Sequence, residues 1–256
     1  MNELKDKVVV ITGASSGIGE EIAYTFAKQG AALGVCGRNK EKLGKVAKQC
    51  KAHGAGKVIE IIGDLMKLND IDQMVEEVVS KLGDVDVLIN NCGAIVNGGI
   101  ETPNVEDFDK IFHVNVRAPF YLTQKCVPHL KKTKGCVVNI STLLTKICET
   151  NNLLYSMAKC SIDHFTKSTA LELAKYDIRV NSVNPAVVLT PILQQMFSPE
   201  KLSEVLGEVG PMHPLGSKCL STQEIADTVI FLSTSGARCI TGTCLLADRG
   251  RGVFGK

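Results

Sequence analysis

The sequence predicts an α/β fold, a single-domain doubly wound parallel sheet with helices on both faces. Three observations predict it. Short β-branched runs alternate with longer segments of helical period, the pattern of βαβ units. Several runs, such as Val8-Val9-Val10-Ile11 and Val85-Asp86-Val87-Leu88-Ile89, are almost continuously apolar, as strands become when helices cover both faces of their sheet. Each helical segment is also long enough to cross such a sheet.

Taken in order, strands are expected at Lys7–Thr12, Ala32–Cys36, Lys57–Ile62, Val85–Asn90, Gly135–Ser141, Ile178–Asn184 and Thr243–Ala247. Helices are expected at about Gly17–Gln29, Lys40–His53, Asn69–Leu82, Val105–Lys131, Asn152–Lys175 and Thr222–Leu232. The stretch from Val187 to Leu220 contains Pro191, Pro199, Pro211 and Pro214 and no strand pattern, and is expected to form a mobile cover.

Composition narrows the function classes. At 256 residues, 45% apolar and 22% charged, the chain fits one large globular domain and excludes disordered, collagenous and coiled-coil classes. A net charge of +2 offers no bulk support for nucleic acid or an anionic membrane as partner. The ten cysteines contain no CxxC pair, so the expectation is reduced, mostly buried thiols and no metal. The five histidines show no metal-ligand or triad spacing. No apolar stretch approaches the roughly 20 residues of a membrane span. The opening residues run straight into Val8–Ile11, which leaves no room for a targeting peptide; a cytoplasmic location is expected.

The first strand runs into Thr12-Gly13-Ala14-Ser15-Ser16-Gly17-Ile18-Gly19, with a helix directly after. Glycines there let the backbone turn tightly and approach a pyrophosphate, whose charge meets the free N–H groups at the helix start. Further along stand Asn90-Asn91-Cys92-Gly93, Asn115, Tyr155-x-x-x-Lys159 and Arg179-Val-Asn-Ser-Val-Asn-Pro185. In this order the motifs resemble those of the short-chain dehydrogenases/reductases, over residues 6 to 250. The resemblance implies a Rossmann-type fold, a nicotinamide cofactor and a carbonyl or alcohol substrate.

Which cofactor is argued from the end of the second strand. An acid there would bind the adenosine ribose and repel a 2′-phosphate, but the chain reads Cys36-Gly37-Arg38-Asn39. Arg38 offers a planar, permanently charged fork suited to a phosphate, so NADP(H) is expected. The resemblance adds Asp64 and Leu65 at the adenine, Asn91 and Gly93 beneath the ribose, and Pro185, Val188 and Thr190 at the nicotinamide amide. Two departures from the family pattern stand out: Pro185-Ala186 in place of Pro-Gly, and Asp248-Arg249-Gly250 in place of Asp-Gly-Gly.

Tyr-x-x-x-Lys puts both side chains on one helix face. Tyr24/Lys28 and Tyr121/Lys125 share that spacing, so context selects. Tyr155 alone begins a helix after a strand that ends in hydroxyls, Asn139-Ile140-Ser141-Thr142. A tyrosine near its ordinary pKa of about 10 is a sluggish acid/base at neutrality, and a nearby ammonium is expected to lower it by about three units. The family implies that Lys159 also binds ribose and that Asn115 holds a water connecting lysine to solvent. A gap-free match puts the hydroxyl that steadies the carbonyl oxygen at Thr142, with Ser141 as the alternative.

Side chains expected around the reacting carbon include Ser141, Leu143, Leu144, Ile95, Val96, Leu153, Leu154, Val187, Ile192, Leu193, Met196 and Phe197. Such a lining points to a lipophilic ketone or aldehyde, with 3-oxoacyl thioesters as the alternative substrate and a catalytically idle NADP-binding regulator as the rival function. The helix from Asn152 carries apolar residues on more than one face, and the resemblance implies a homodimer or homotetramer built through it.

Overall fold

The computed structural model describes residues 3–191, 193 and 198–254. Seven parallel strands form one sheet: β1 (Val8–Thr12), β2 (Ala32–Gly37), β3 (Val58–Ile62), β4 (Val87–Asn90), β5 (Cys136–Ile140), β6 (Arg179–Pro185) and β7 (Cys244–Ala247). Their order is β3-β2-β1-β4-β5-β6-β7. The order reverses between β1 and β4, which opens a crevice beyond their carboxyl ends, where ligands of open α/β sheets bind. All seven lie within two residues of the ranges expected from sequence.

The apolar runs are continuous because alternate residues feed two cores. Val9, Ile11, Leu33 and Val35 face α1 (Gly17–Lys28), α2 (Lys40–Ala52) and α8 (Thr222–Ser233). Val8, Val10, Ile61 and Leu88 face α3 (Leu68–Leu82), α5 (Ala118–Thr133) and α6 (Leu153–Leu173). Burying such side chains stabilises the fold by about 1.5–3 kcal/mol each.

Two elements correct the sequence expectation. The single helix expected over 105–131 is broken into α4 (Val105–Phe112), a wide turn of π-helix at His113–Arg117, and α5. Pro119 is the physical reason: it has no N–H to give the carbonyl of Asn115 four residues back, and the Ala118 N–H reaches His113 instead. In the expected cover, α7 (Pro199–Val209) begins at a Ser198 cap, and Val188 bridges Leu220 in parallel. A short α9 (Arg251–Phe254) follows β7.

The cysteines are all unpaired, but only Cys36, Cys50, Cys126 and Cys136 are buried, fewer than expected; Cys148, Cys160 and Cys239 are exposed. Among the described residues no helix is long and apolar enough to cross a membrane.

Candidate active site

The glycine loop is built by close approach. Gly13 and Gly17 have φ of +66° and +63°, where a Cβ is strained. A Cβ on Gly19 would stand 2.4 Å from both the Gly13 carbonyl and the Asn91 amide. No other residue lets α1 start so near the loop. Asn91 fastens this arrangement: its Nδ2 donates to the carbonyls of Thr12 (2.9 Å) and Gly13 (3.3 Å). Thr12 Oγ1 accepts from the backbone N–H groups of Asn91 and Cys92, both at 3.1 Å. Ser16 is the N-cap of α1 and makes no side-chain cap bond, so the first N–H groups of the helix, with Ile18 among them, have no cap hydroxyl on them. On the far side, Thr190 and Pro191 stand 3.6 Å from where a Gly17 Cβ would be. An extended, anionic group lying on backbone N–H groups fits this cradle.

Arg38 and Asn39 follow β2 and are exposed. Asn39 caps α2 by accepting from Lys42 N at 2.9 Å. Among the described residues no carboxylate pairs with Arg38. Asp64 follows β3 and accepts from Met66 N at 3.0 Å, with Leu65 buried behind it. Burial pushes the Cys92 thiol up, while the charges of Arg38 and Lys159 pull it down and that of Asp64 adds to the rise.

At the carboxyl end of β5, Thr142 and Ser141 point opposite ways. The Thr142 hydroxyl lies on the Tyr155 phenol's side, near enough to oppose the rise of its pKa, and accepts from Leu144 N at 3.3 Å. The Ser141 hydroxyl donates to the Lys159 carbonyl at 3.4 Å, within the fold. Ser141, expected at the substrate, is therefore turned into α6, because adjacent strand residues face opposite sides. Leu143 is likewise buried, at 1% exposure, and the site of a Gly252 Cβ lies 2.9 Å from its Cδ1.

Lys159 is buried, and its Nζ donates to the Ile140 carbonyl at 2.6 Å. Burial brings it down to about 8, against the pull of Cys92 and Asp163. Burial also pushes Tyr155 up to about 12. This corrects the expected lowering of the tyrosine: desolvation disfavours both charged forms, and on the phenol only the Thr142 hydroxyl opposes it. The two rival tyrosines are engaged elsewhere, Tyr24 with Glu20 at 2.7 Å and Tyr121 with Asp72 at 3.0 Å.

Asn115 is fully buried in the wide helical turn. Its Nδ2 donates to the carbonyls of Ala94 (2.9 Å) and Ile111 (3.0 Å), and its Oδ1 accepts from Ala94 N at 3.2 Å. The side chain thus staples the turn to the loop after β4, which leaves the main chain of Asn115 as the part that could meet a water. Pro119 removes the N–H that an α-helical pattern would give to the Asn115 main-chain carbonyl. A Gly93 Cβ would stand 2.9 Å from Asn115 Oδ1 and 3.7 Å from Lys159 Nζ.

Val188 is buried in the core, and Pro185 ends β6. Leu193 N donates to Thr190 Oγ1 at 3.4 Å. Val96 packs with Leu154, Ala158 and Ile111. Ile192, Met196 and Phe197 lie outside the described residues. Arg249 adopts φ of +52°, the backbone that glycine takes in the family pattern; its guanidinium holds the Leu215 carbonyl and Glu224.

Sequence reasoning missed a buried polar cluster under Thr142. Asp163 accepts from Thr145 Oγ1 (2.7 Å) and Asn184 Nδ2 (2.9 Å), and Ser182 Oγ lies 3.4 Å from it. The signal available was Asp163 itself, a carboxylate one turn beyond Lys159 among apolar neighbours.

Comparison with known proteins agrees with this architecture. The family model for short chain dehydrogenase matches residues 7–201. The chain is 32% identical over 248 residues to the 3-oxoacyl-[acyl-carrier-protein] reductase of Thermotoga maritima, covering 96% of this chain and 98% of that one. It is 30% identical over 251 residues to the cyclopentanol dehydrogenase of Comamonas testosteroni, covering 98% of each. The structure of L-sorbose reductase from Gluconobacter frateurii, complexed with NADPH and L-sorbose, superposes with a TM-score of 0.93 at 29% identity and covers 98% of each chain. With the parallel sheet, the glycine cradle and these full-length relatives together, the chain belongs to the short-chain dehydrogenase/reductase family and is an oxidoreductase that uses a nicotinamide cofactor.

Proposed function

We propose that the protein uses NADP(H) to interconvert a lipophilic ketone or aldehyde and its alcohol. The observation that carries this reading is the placement of Tyr155 one helical turn from a buried Lys159, whose Nζ is held at the Ile140 carbonyl at the end of β5, two residues before Thr142. Gly13, Ser15, Ser16, Gly17, Ile18 and Gly19 would hold the pyrophosphate on backbone N–H groups. Arg38 and Asn39 would take the 2′-phosphate, Asp64 and Leu65 the adenine, Asn91 and Gly93 the ribose segment, and Pro185, Val188 and Thr190 the amide.

When bound, the nicotinamide supplies or accepts a hydride. In reduction, Thr142 Oγ1 and the Tyr155 hydroxyl hold the carbonyl oxygen, and Tyr155 gives it a proton as the carbon receives the hydride. Lys159, brought to about 8, exchanges protons near neutrality and can return one to Tyr155. The Asn115 carbonyl is the acceptor that would hold a connecting water. A regulator that only bound NADP would gain nothing from this relay.

The substrate class follows from the wall of the cleft. Val96 packs on Leu154 and Ala158, and Ile95 is 37% exposed beside them. Such a wall binds by buried area, at about 25 cal/mol per Å², with the carbonyl fixed by hydrogen bonds. The relatives' names point to an acyl-carrier-linked ketone, a cyclic alcohol and a sugar, and the apolar wall supports the lipophilic choice among them.

The test is kcat/KM for aryl ketones, quinones, diketones, 3-oxoacyl thioesters, keto acids and sugars, each with NADPH and with NADH. An uncharged lipophilic ketone with NADPH is expected to lead, and Arg38→Asp to reverse the cofactor order. A preference for NADH, or for sugars or keto acids, would defeat the corresponding half of the reading. Exposed Met157, Phe120 and Leu171 on α5 and α6 support assembly into a homodimer or homotetramer, which light scattering measures.

A further inference from the structure

We infer that Asp163 is a positioning residue for this reaction: through Asn184 and Thr145 it holds the Thr142 backbone so that the Thr142 hydroxyl meets Tyr155. The inference rests on the functional reading above. Asp163 lies one turn beyond Lys159 on the inner face of α6 and is 5% exposed. Burying a carboxylate is costly unless its oxygens are hydrogen-bonded. Here they are, and two of the groups that donate to them, Asn184 and Thr145, lead back to Thr142.

The direction of these bonds is fixed by a main-chain group. Asn184 Nδ2 lies 3.1 Å from the Thr142 carbonyl, which can only accept, so that end of the amide is the NH₂. The same nitrogen reaches both Asp163 oxygens, at 3.1 and 2.9 Å. Ser182 Oγ donates to the other end, Asn184 Oδ1, at 2.8 Å. Thr145 Oγ1 donates to Asp163 Oδ2 at 2.7 Å and lies 3.1 Å from the Thr142 carbonyl. Its single hydrogen goes to the nearer, anionic acceptor. Asp163 thus orients one amide and one hydroxyl: the Thr145 hydroxyl, its hydrogen on Asp163, accepts from Asn184 Nδ2 at 3.0 Å, and the Asn184 amide so fixed holds the Thr142 carbonyl. An asparagine at 163 would bring an NH₂ of its own against one of these donors and reverse part of the network.

The charge also reaches the lysine. Lys159 and Cys160 lie on the same helix, Cys244 approaches from β7, and Lys146, 41% exposed, comes within 4.0 Å from the loop after β5. β6 contributes only the neutral Ser182 and Asn184. Among the described residues Lys146 alone reaches Asp163, at the 4.0 Å limit of an ion pair and part exposed, so the Asp163 charge is only partly met and still opposes the burial that draws Lys159 down.

The experiment compares full-length wild type, Asp163→Asn and Thr145→Val in NADPH-dependent reduction of a diketone across pH 6–10. Asp163→Asn is expected to lower kcat by about ten-fold while KM for NADPH stays within about two-fold. Its alkaline limb should move to lower pH by about half a unit, because Lys159 loses its counter-charge. Thr145→Val removes the hydroxyl and keeps the charge, so kcat falls with the limb unmoved. Wild-type kcat and limb in Asp163→Asn, or a kcat loss that only tracks the folded fraction, would overturn the inference. Should Asp163→Asn fail to fold, an unchanged kcat in Thr145→Val overturns it. The ¹³Cζ signal of Tyr155, assigned with Tyr155→Phe, reads the same clamp without turnover. If wild type reduces no carbonyl, the functional reading fails; the clamp fails only if both variants leave that signal in place.

Discussion

In the proposed reaction, the working groups on the β1 side of the crevice are main-chain N–H groups, which the absence of side chains at Gly13, Gly17 and Gly19 leaves open. Those proposed on the β5 and β6 side are side chains, Thr142, Tyr155 and Lys159, backed by a second set of side chains, Asp163, Asn184 and Thr145. The first side tolerates no added atom at Gly19, where a Cβ would lie 2.4 Å from backbone. The second tolerates no removed hydrogen bond. A cradle for a bulky, constant ligand can be made from backbone; a proton path has to be made from groups that titrate or donate.

The largest break in this comparison is at the proton path. Tyr155→Phe should lower kcat by about 10²–10⁴ while cofactor binding, read by fluorescence titration, persists. Tyr24→Phe and Tyr121→Phe should stay near wild type, since each phenol faces a carboxylate away from the crevice. Substantial turnover in Tyr155→Phe would falsify the assignment.

Next comes the pair of neighbouring hydroxyls. Thr142→Ala is expected to lower kcat by about 10²-fold, as loss of one donor to a developing oxyanion does. Ser141→Ala should leave kcat nearly unchanged and reduce stability by about 1 kcal/mol, the value of one buried hydrogen bond. The reverse ranking would show that the strand presents its other face to substrate.

Glycines sharpen the contrast on the backbone side. Gly19→Ala overpacks the loop and should destabilise the protein by about 1–3 kcal/mol and weaken cofactor binding with it. Gly207→Ala, in α7 with no atom near its Cβ position, should instead stabilise by up to about 1 kcal/mol. Thermal unfolding of the two variants measures the difference; equal shifts would mean that close approach is not what Gly19 provides.

The smallest effect concerns buried charge. Lys159 falls from 10.5 to about 8, a shift equivalent to about 3 kcal/mol of cost at neutral pH. Lys159→Met removes that cost but leaves the Ile140 carbonyl unpaired, at about 1–3 kcal/mol, for a net gain of about 1 kcal/mol at pH 7 with activity lost. Below pH 8 the folded and unfolded lysines are both charged. Between pH 8 and 10.5 the unfolded state binds the extra proton, so wild-type stability rises there and the variant's advantage should vanish by pH 10.5. Denaturant titrations at pH 7 and pH 10 test this, and an advantage that grew with pH would contradict it.

Much of the molecule was legible from the chain alone, and for local reasons. Strand alternation between Val9 and Val10 follows from a period of two, and the glycine loop from sterics at single positions. Arg38 in place of an acid is readable because charge and geometry there belong to one residue. Tyr155 was separable from Tyr24 and Tyr121 by what precedes each in the sequence.

The remainder depended on contacts between residues far apart in sequence. Which of Ser141 and Thr142 faces the crevice is a matter of strand phase against α6. The wide turn at Asn115 needed Pro119 to be placed inside a continuous helix. Asp163 meets Asn184 across 21 residues and Thr145 across 18, and no spacing rule brings them together. The balance between Lys159 and Tyr155 was decided by burial: attraction between two charges can be reckoned from their spacing on a helix, whereas desolvation depends on everything packed around them, which only the tertiary structure supplies.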